Sequence, residues 1–141
     1  ADELRKASIR MEEERGRLHT LDDIAALMAQ FRYVPQYTYY EPNVTEVFAA
    51  ELMGDCKAVA VLGVWALGCI GVKAHQWSLS GDGWGSSHRI AMSDDKTVFI
   101  TNGGSGNHRF VLVKQIEPLK YKEEVLNWFY PPYKKMKQLK E

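Results

Sequence analysis

Apolar positions recur at helical spacing through the first half of the chain and at alternating spacing through most of the second. Residues 2 to 16 are rich in helix formers, with Leu4, Ile9, Met11 and Leu18 loosely periodic and Gly16 as a stop. Thr20 is placed to cap a helix over residues 21 to 31. Asp23 stands at its third position, and Leu21, Ile24, Leu27, Met28 and Phe31 form an apolar stripe. Residues 32 to 43 carry Pro35, Pro42 and four tyrosines, and the prolines keep this stretch extended. Thr45 then caps a short helix that ends near Met53 and Gly54. Asp55 caps a longer one over about residues 56 to 68, whose apolar content (Val59, Val61, Leu62, Val64, Trp65, Leu67) predicts burial on most faces.

Beyond Gly68 the spacing changes. Residues 69 to 79 alternate as a strand does, and a glycine-rich loop follows from Ser80 to Ser87. Residues 88 to 92 and 97 to 101 flank Ser93-Asp94-Asp95-Lys96, a polar turn between two β-prone runs, so a hairpin is expected. A second glycine-rich stretch, 102 to 107, precedes a strand over 109 to 116. Residues 121 to 130 read as helix, Pro131-Pro132 ends them, and the lysine-rich tail reads as a solvated helix end. The order predicts a single α+β domain: N-terminal helices over 1 to 36, a core over 37 to 116 and a helical tail over 117 to 141.

Composition narrows the function classes. The 141 residues are 45% hydrophobic and 26% charged, ordinary for one soluble domain that holds its core without disulfides or a structural metal. Eighteen basic residues balance eighteen acidic ones, which argues against a nucleic-acid partner held by a long-range positive field. No apolar run reaches membrane-spanning length and residues 1 to 17 lack the apolar core of a secretory signal, so a soluble, cytoplasmic-type protein without a membrane partner is expected. Cys56 and Cys69, at opposite ends of a predicted helix on the order of 20 Å long, are too far apart for a disulfide. Both are therefore read as free thiols, and the sequon Asn43-Val44-Thr45 as accidental.

Cys56 carries the chemistry in this reading. A cysteine in the first turn of a buried helix sits beside unpaired N–H groups and the positive end of the helix dipole. These favour the thiolate and offer donors to an oxyanion. Cys69, beside Ile70 and Val72, reads as core. A nucleophilic thiol needs a base, and His88 follows a glycine-rich loop at the start of a hairpin strand, where an imidazole can reach a helix terminus. Hairpin arithmetic supplies the third group. A two-residue turn puts Thr101 opposite His88, and one extra residue puts Asn102 there. Asp94 and Asp95 lie at the tip, about 15 to 20 Å away along the strand. Tyr37, Tyr39, Tyr40, Trp77 and Trp84 are candidates for a substrate groove, and Gln36 for an amide donor to the oxyanion.

The run Val47-Phe48-Ala49-Ala50-Glu51-Leu52-Met53-Gly54-Asp55-Cys56-Lys57-Ala58-Val59-Ala60, with Leu67-Gly68-Cys69-Ile70-Gly71-Val72 after it, resembles the transglutaminase-like cysteine enzyme superfamily, its bacterial cysteine peptidases in particular. His88-Arg89-Ile90-Ala91-Met92 is similar to that family's histidine strand, and Phe99-Ile100-Thr101-Asn102 to the strand that ends in its Asp or Asn. Over about residues 37 to 102 the resemblance implies a papain-like core with Cys56 as nucleophile, His88 as base and Asn102 as orienter. It implies acyl transfer on a protein or peptide substrate through a thioester, without a cofactor, with Trp84, Gln36 and Tyr39 as substrate-binding candidates. The chain departs from the family at Lys57, Arg89 and Asn102, where acidic, small or aromatic, and Asp residues are commoner. The rival expectation is an interaction or structural module that keeps the fold without catalysis. Neither glycine-rich stretch has a Walker lysine, and no cysteine or histidine pair has metal-ligand spacing, so no metal is expected.

Overall fold

The computed structural model describes residues 2–36, 38–82, 87–103 and 110–140. Four helices and a two-residue strand pair occupy the first half: α1 (Asp2–Arg17), α2 (Leu21–Met28), β1 (Arg32–Tyr33), α3 (Val44–Ala49), β2 (Met53–Gly54) and α4 (Cys56–Cys69). The second half supplies β3 (Ala74–Ser80), β4 (Ser87–Ser93), β5 (Val98–Asn102), β6 (Val111–Gln115), the helix α5 (Tyr121–Trp128) and β7 (Lys135–Gln138). The five longer strands form one antiparallel sheet in the order β6-β5-β4-β3-β7. The architecture is α+β, as the spacing predicts.

Capping explains where the helices begin. Thr20 accepts from the Asp23 N–H and Asp23 returns the bond to the Thr20 N–H, closing a capping box on α2. Asn43, not Thr45, makes the equivalent box on α3 with Glu46. Asp55 accepts from the N–H groups of Lys57 and Ala58 and starts α4. That helix runs past Gly68 to Cys69, and Gly71, at φ 82°, turns the chain out of it, so β3 begins five residues later than the alternation suggests. The periodic residues of α1 do not form a buried stripe: Leu4 and Ile9 are about half exposed, while Ala7 and Glu14 are buried. Arg10 lies over the Phe48 ring, 5.8 Å from its centroid, and bonds Gln30.

Two apolar cores flank the sheet. One joins α2, α3 and α4 to the face carrying Ala74, Ala91, Val98 and Ile100. The other packs Trp77, Leu79, Ile90, Met92 and Phe99 against Val125 and Phe129. Gly63 sets the approach of α4, because a Cβ there would lie 2.9 Å from the Ala91 Cβ and 3.3 Å from the Ile100 Cβ. The tail is not a helix end. After α5 it turns back and pairs antiparallel with β3, Ser80 opposite Lys135 and Trp77 opposite Gln138, so the lysine-rich run expected as a solvated helix end is corrected to an edge strand. Its lysines suit that position, since charge on an edge opposes further pairing.

Candidate active site

Four elements converge on Cys56, the first residue of α4. Upstream, Glu51 and Leu52 both take left-handed backbone, at φ 58°, an arrangement that non-glycine residues adopt only when the surroundings hold them. Leu52 is fully buried, and β1 bonds across it: Arg32 N–H to the Leu52 carbonyl and Val34 N–H to the Gly54 carbonyl, at 2.9 and 2.7 Å. Gly54 also lets the chain pass close to α4, where an added Cβ would fall 2.7 Å from that of Ala58. The helix start is thereby held in place before the nucleophile is reached.

Asp55 is buried and fully engaged. One oxygen takes the Lys57 and Ala58 N–H groups, and the other takes the Lys57 ammonium at 2.6 Å. Those two helix N–H groups, expected to serve an oxyanion, are therefore spent on the cap.

The Cys56 sulfur instead meets the sheet, where it interacts with the N–H of the peptide that joins His88 to Arg89. The registered pairs of β4 with β5 are Ala91 with Ile100 and Met92 with Phe99. Between the same strands His88 Nε2 lies 2.8 Å from Thr101 Oγ1. Thr101 donates its hydroxyl proton to the Asn102 carbonyl at 3.1 Å, so it accepts from the ring.

The His88 ring is packed by residues of the tail: Phe129 meets it edge-on with centroids 5.1 Å apart, and Tyr133 stacks on it at 6.0 Å. The imidazole therefore faces the second core, while Arg89 and Ala91 face α4. Charge on Cys56 is still felt at Tyr133, whose hydroxyl pKa is raised by burial and then by that charge. The groups that act on the Cys56 thiol are Arg89, Asp55 and Lys57, and the imidazole lies on the opposite face of β4 from Arg89.

Burial pushes the Cys56 thiol above its ordinary range, opposed first by the Arg89 N–H; Asp55 raises it further, and Lys57 and the Arg89 guanidinium lower it. The expectation of a depressed pKa from the helix N-terminus is corrected: burial, and after it the Asp55 charge, raise it. Arg89 is held by Glu41, through bonds of 2.7 and 2.9 Å, and by Gln76 at 3.1 Å.

Asn102 does not orient the imidazole. Its amide is buried and neither its nitrogen nor its oxygen is hydrogen-bonded, whereas Thr101, one residue earlier, bonds His88. The reason is register. Residues 94 to 97 separate β4 from β5, with Lys96 at φ 63°, and the resulting pairing sets Ala91 against Ile100. Continued by two residues, that register brings Asn102 opposite Arg89 and directs it toward α4 with Ile100, so Thr101 falls on the histidine's face.

Gln36 and Tyr40 line a cavity of about 170 Å³ beside Asp55. Tyr39 is fully exposed, and Trp77 belongs to the second core. Trp84 and Tyr37 lie outside the described residues, as does much of both glycine-rich loops. Tyr133 was not singled out from sequence, since only the return of the tail to β3 brings it to the histidine. Its position two residues after Pro131 carries no local signal of this. His75 bonds Asp94 at 2.6 Å on the other side of the domain. Among the described residues, no cluster of three or more His, Cys, Asp or Glu side chains is arranged to hold a metal, and no helix is long and apolar enough to cross a membrane.

Comparison with known proteins supplies no assignment: no protein-family model, no curated protein and no solved structure matches the chain.

Proposed function

We propose that this protein is a cysteine-dependent acyl-transfer enzyme with a papain-like, transglutaminase-like core, acting on protein or peptide amides through a thioester on Cys56. The observation that carries the reading is the meeting of α4 with β4 and β5. Cys56 opens α4 beside β4, where Arg89 acts on the thiol, and the His88–Thr101 bond spans β4 and β5. In the reaction the sulfur attacks an amide carbonyl as its proton passes to His88. Collapse of the tetrahedral intermediate breaks the C–N bond, and His88 returns the proton to the leaving amine. Water or a second amine then attacks the thioester and releases Cys56 as a thiol. The raised thiol pKa favours the protonated sulfur in the resting site, so proton transfer accompanies attack.

A specific observation favours a second reading. The buried, protonated Cys56 and the imidazole turned toward the tail also suit a module that keeps the architecture without catalysis. One experiment separates the two. Cys69→Ser protein is treated with p-nitrophenyl acetate, and the mass of the Cys56 peptide is followed with and without hydroxylamine, in otherwise native protein and in His88→Ala. A hydroxylamine-labile acetyl group on Cys56 that forms about 10²-fold more slowly in His88→Ala supports the enzyme. Acetylation that is equally slow in both, or absent from both, supports the module.

A further inference from the structure

Arg89 is held from two sides, and the two holds differ in kind. Gln76, its diagonal neighbour on β3, accepts from Nη1 at 3.1 Å. Glu41 takes both ends of the fork, Nη1 at 2.7 Å and Nη2 at 2.9 Å, the bidentate geometry by which a guanidinium recognises any carboxylate. The Arg89 side chain is 16% exposed, whereas that of Glu41 is 58% exposed and belongs to no helix or strand. The segment that carries Glu41 is fixed by its other residues: Thr38, Tyr40 and Pro42 border the Asp55 side of α4, and the Tyr40 hydroxyl bonds Glu46. Releasing Glu41 therefore costs one exposed ion pair, which adds little to stability, and leaves the fork oriented by Gln76.

The fork stands beside the nucleophile. Arg89 shares with Ala91 the face of β4 that meets α4, where Gly63 packs close on Ala91. Cys56 lies two helical turns before Gly63, about 10 Å along the axis, and Arg89 lies two strand residues before Ala91, about 7 Å. The guanidinium and the Lys57 ammonium both act on the Cys56 sulfur and on the Glu41 carboxylate. Lys57 is committed to Asp55 at 2.6 Å, which leaves the Arg89 fork as the cation with an exchangeable partner. A carboxylate on that fork is one side chain's length from the sulfur, a span that extended peptide at about 3.3 Å per residue covers in one to two residues. We infer that the Arg89 guanidinium is a specificity site for a substrate carboxylate carried within one to two residues of the reacting carbonyl, and that Glu41 occupies this site until substrate displaces it.

The inference rests on the proposed acyl-transfer reading and deepens it by naming the substrate as acidic. Because Glu41 is tethered, an incoming carboxylate competes against an effective concentration on the order of millimolar, so dilute simple acids are kept out while a peptide held by further contacts is admitted.

The test uses two matched pairs of alkylating probes: iodoacetyl-aspartate α-amide against iodoacetyl-asparagine amide, and iodoacetyl-alanine against its carboxamide. The first pair presents a side-chain carboxylate and the second a chain-terminal one. The Cys56 alkylation rate of each acidic probe is divided by that of its neutral partner, which cancels changes in thiol reactivity. Native protein, Glu41→Gln, and Glu41→Gln combined with Arg89→Lys are compared. In Glu41→Gln at least one ratio is expected to reach about 10, the scale of one charge-assisted bidentate pair, and to be lower in native protein, where Glu41 competes. Arg89→Lys keeps the charge but not the fork, and is expected to return the ratio to within about twofold of unity. The pair that carries the preference identifies the source of the carboxylate. Ratios near unity in Glu41→Gln, or a raised ratio that Arg89→Lys does not lower, overturns the site while leaving the nucleophile intact. Failure of the acyl-transfer reading shows separately, as the absence of the hydroxylamine-labile Cys56 adduct.

Discussion

The two ends of α4 carry the same side chain in opposite settings. Cys56 and Cys69 are both free thiols, and burial raises the pKa of both. At the first end the N-cap is a buried aspartate, the sulfur meets a strand N–H, and a histidine–threonine pair spans β4 and β5. At the second end Ile70 and Gly71 close the helix, and the charges that act on the sulfur are those of Arg15 and Glu12 of α1. Thiol acidity does not separate the two. What separates them is their neighbours, Asp55, Lys57 and Arg89 at one end and Arg15 and Glu12 at the other, so a cysteine at a helix N-terminus is not on that ground alone a poised thiolate.

Removing each sulfur in turn is the strongest way to break the comparison. Cys56→Ser is expected to lower kcat/KM by about 10³-fold or more, as loss of a nucleophile does, and Cys69→Ser by less than about twofold. Steady-state kinetics on any substrate that acylates the protein checks both, and equal losses would place the chemistry elsewhere. A smaller effect sharpens the role of the acceptor. Thr101→Val removes the oxygen that holds Nε2–H and is expected to reduce kcat by about 10- to 100-fold with little change in KM, while Asn102→Leu leaves kcat near native. Asn102→Leu also relieves a buried, unbonded amide and is expected to raise stability by about 1 kcal/mol, read as an increase in Tm. A loss of activity in Asn102→Leu without one in Thr101→Val would restore the amide as orienter.

The smallest effect is the pH dependence of the thiols themselves. Because both pKa values are raised on folding, the folded protein keeps protons that the unfolded chain releases, and stability falls as pH rises above the unfolded thiol pKa. Alkylation of either cysteine is accordingly expected to accelerate only at alkaline pH when His88 is Ala. A Cys56 rate that rises at or below neutral pH in that variant would contradict the burial argument. Denaturant midpoints between pH 8 and 10 are expected to fall less in the Cys56→Ser, Cys69→Ser double variant than in the native chain.

What was legible in the sequence was mostly local. The Thr20 and Asp55 caps, the apolar α4 and the β4–β5 hairpin each depend on residues within a few positions of one another. The errors arose where a distant partner or one backbone angle decides. Whether Thr101 or Asn102 faces His88 depends on loop residues and Lys96 in the left-handed region, and a one-residue difference reverses the face. Asn43 outcompetes Thr45 as a cap because Glu46 completes its box. The tail forms a strand because β3 offers it an edge, which no pattern within the tail reports. Cys56 and His88 could be nominated from residue type and position, whereas Tyr133 could not.

That last strand has a consequence for synthesis. Cys56, His88 and Thr101 are all translated by residue 101, yet the rings that pack the imidazole, Phe129 and Tyr133, arrive about thirty residues later and are held when the tail docks on β3. A chain still partly inside the ribosome, where on the order of thirty residues are sheltered, would therefore carry an imidazole without its packing. On the acyl-transfer reading, activity would come on only after this edge strand has cleared the exit tunnel, which would spare nascent neighbours from a half-built cysteine site.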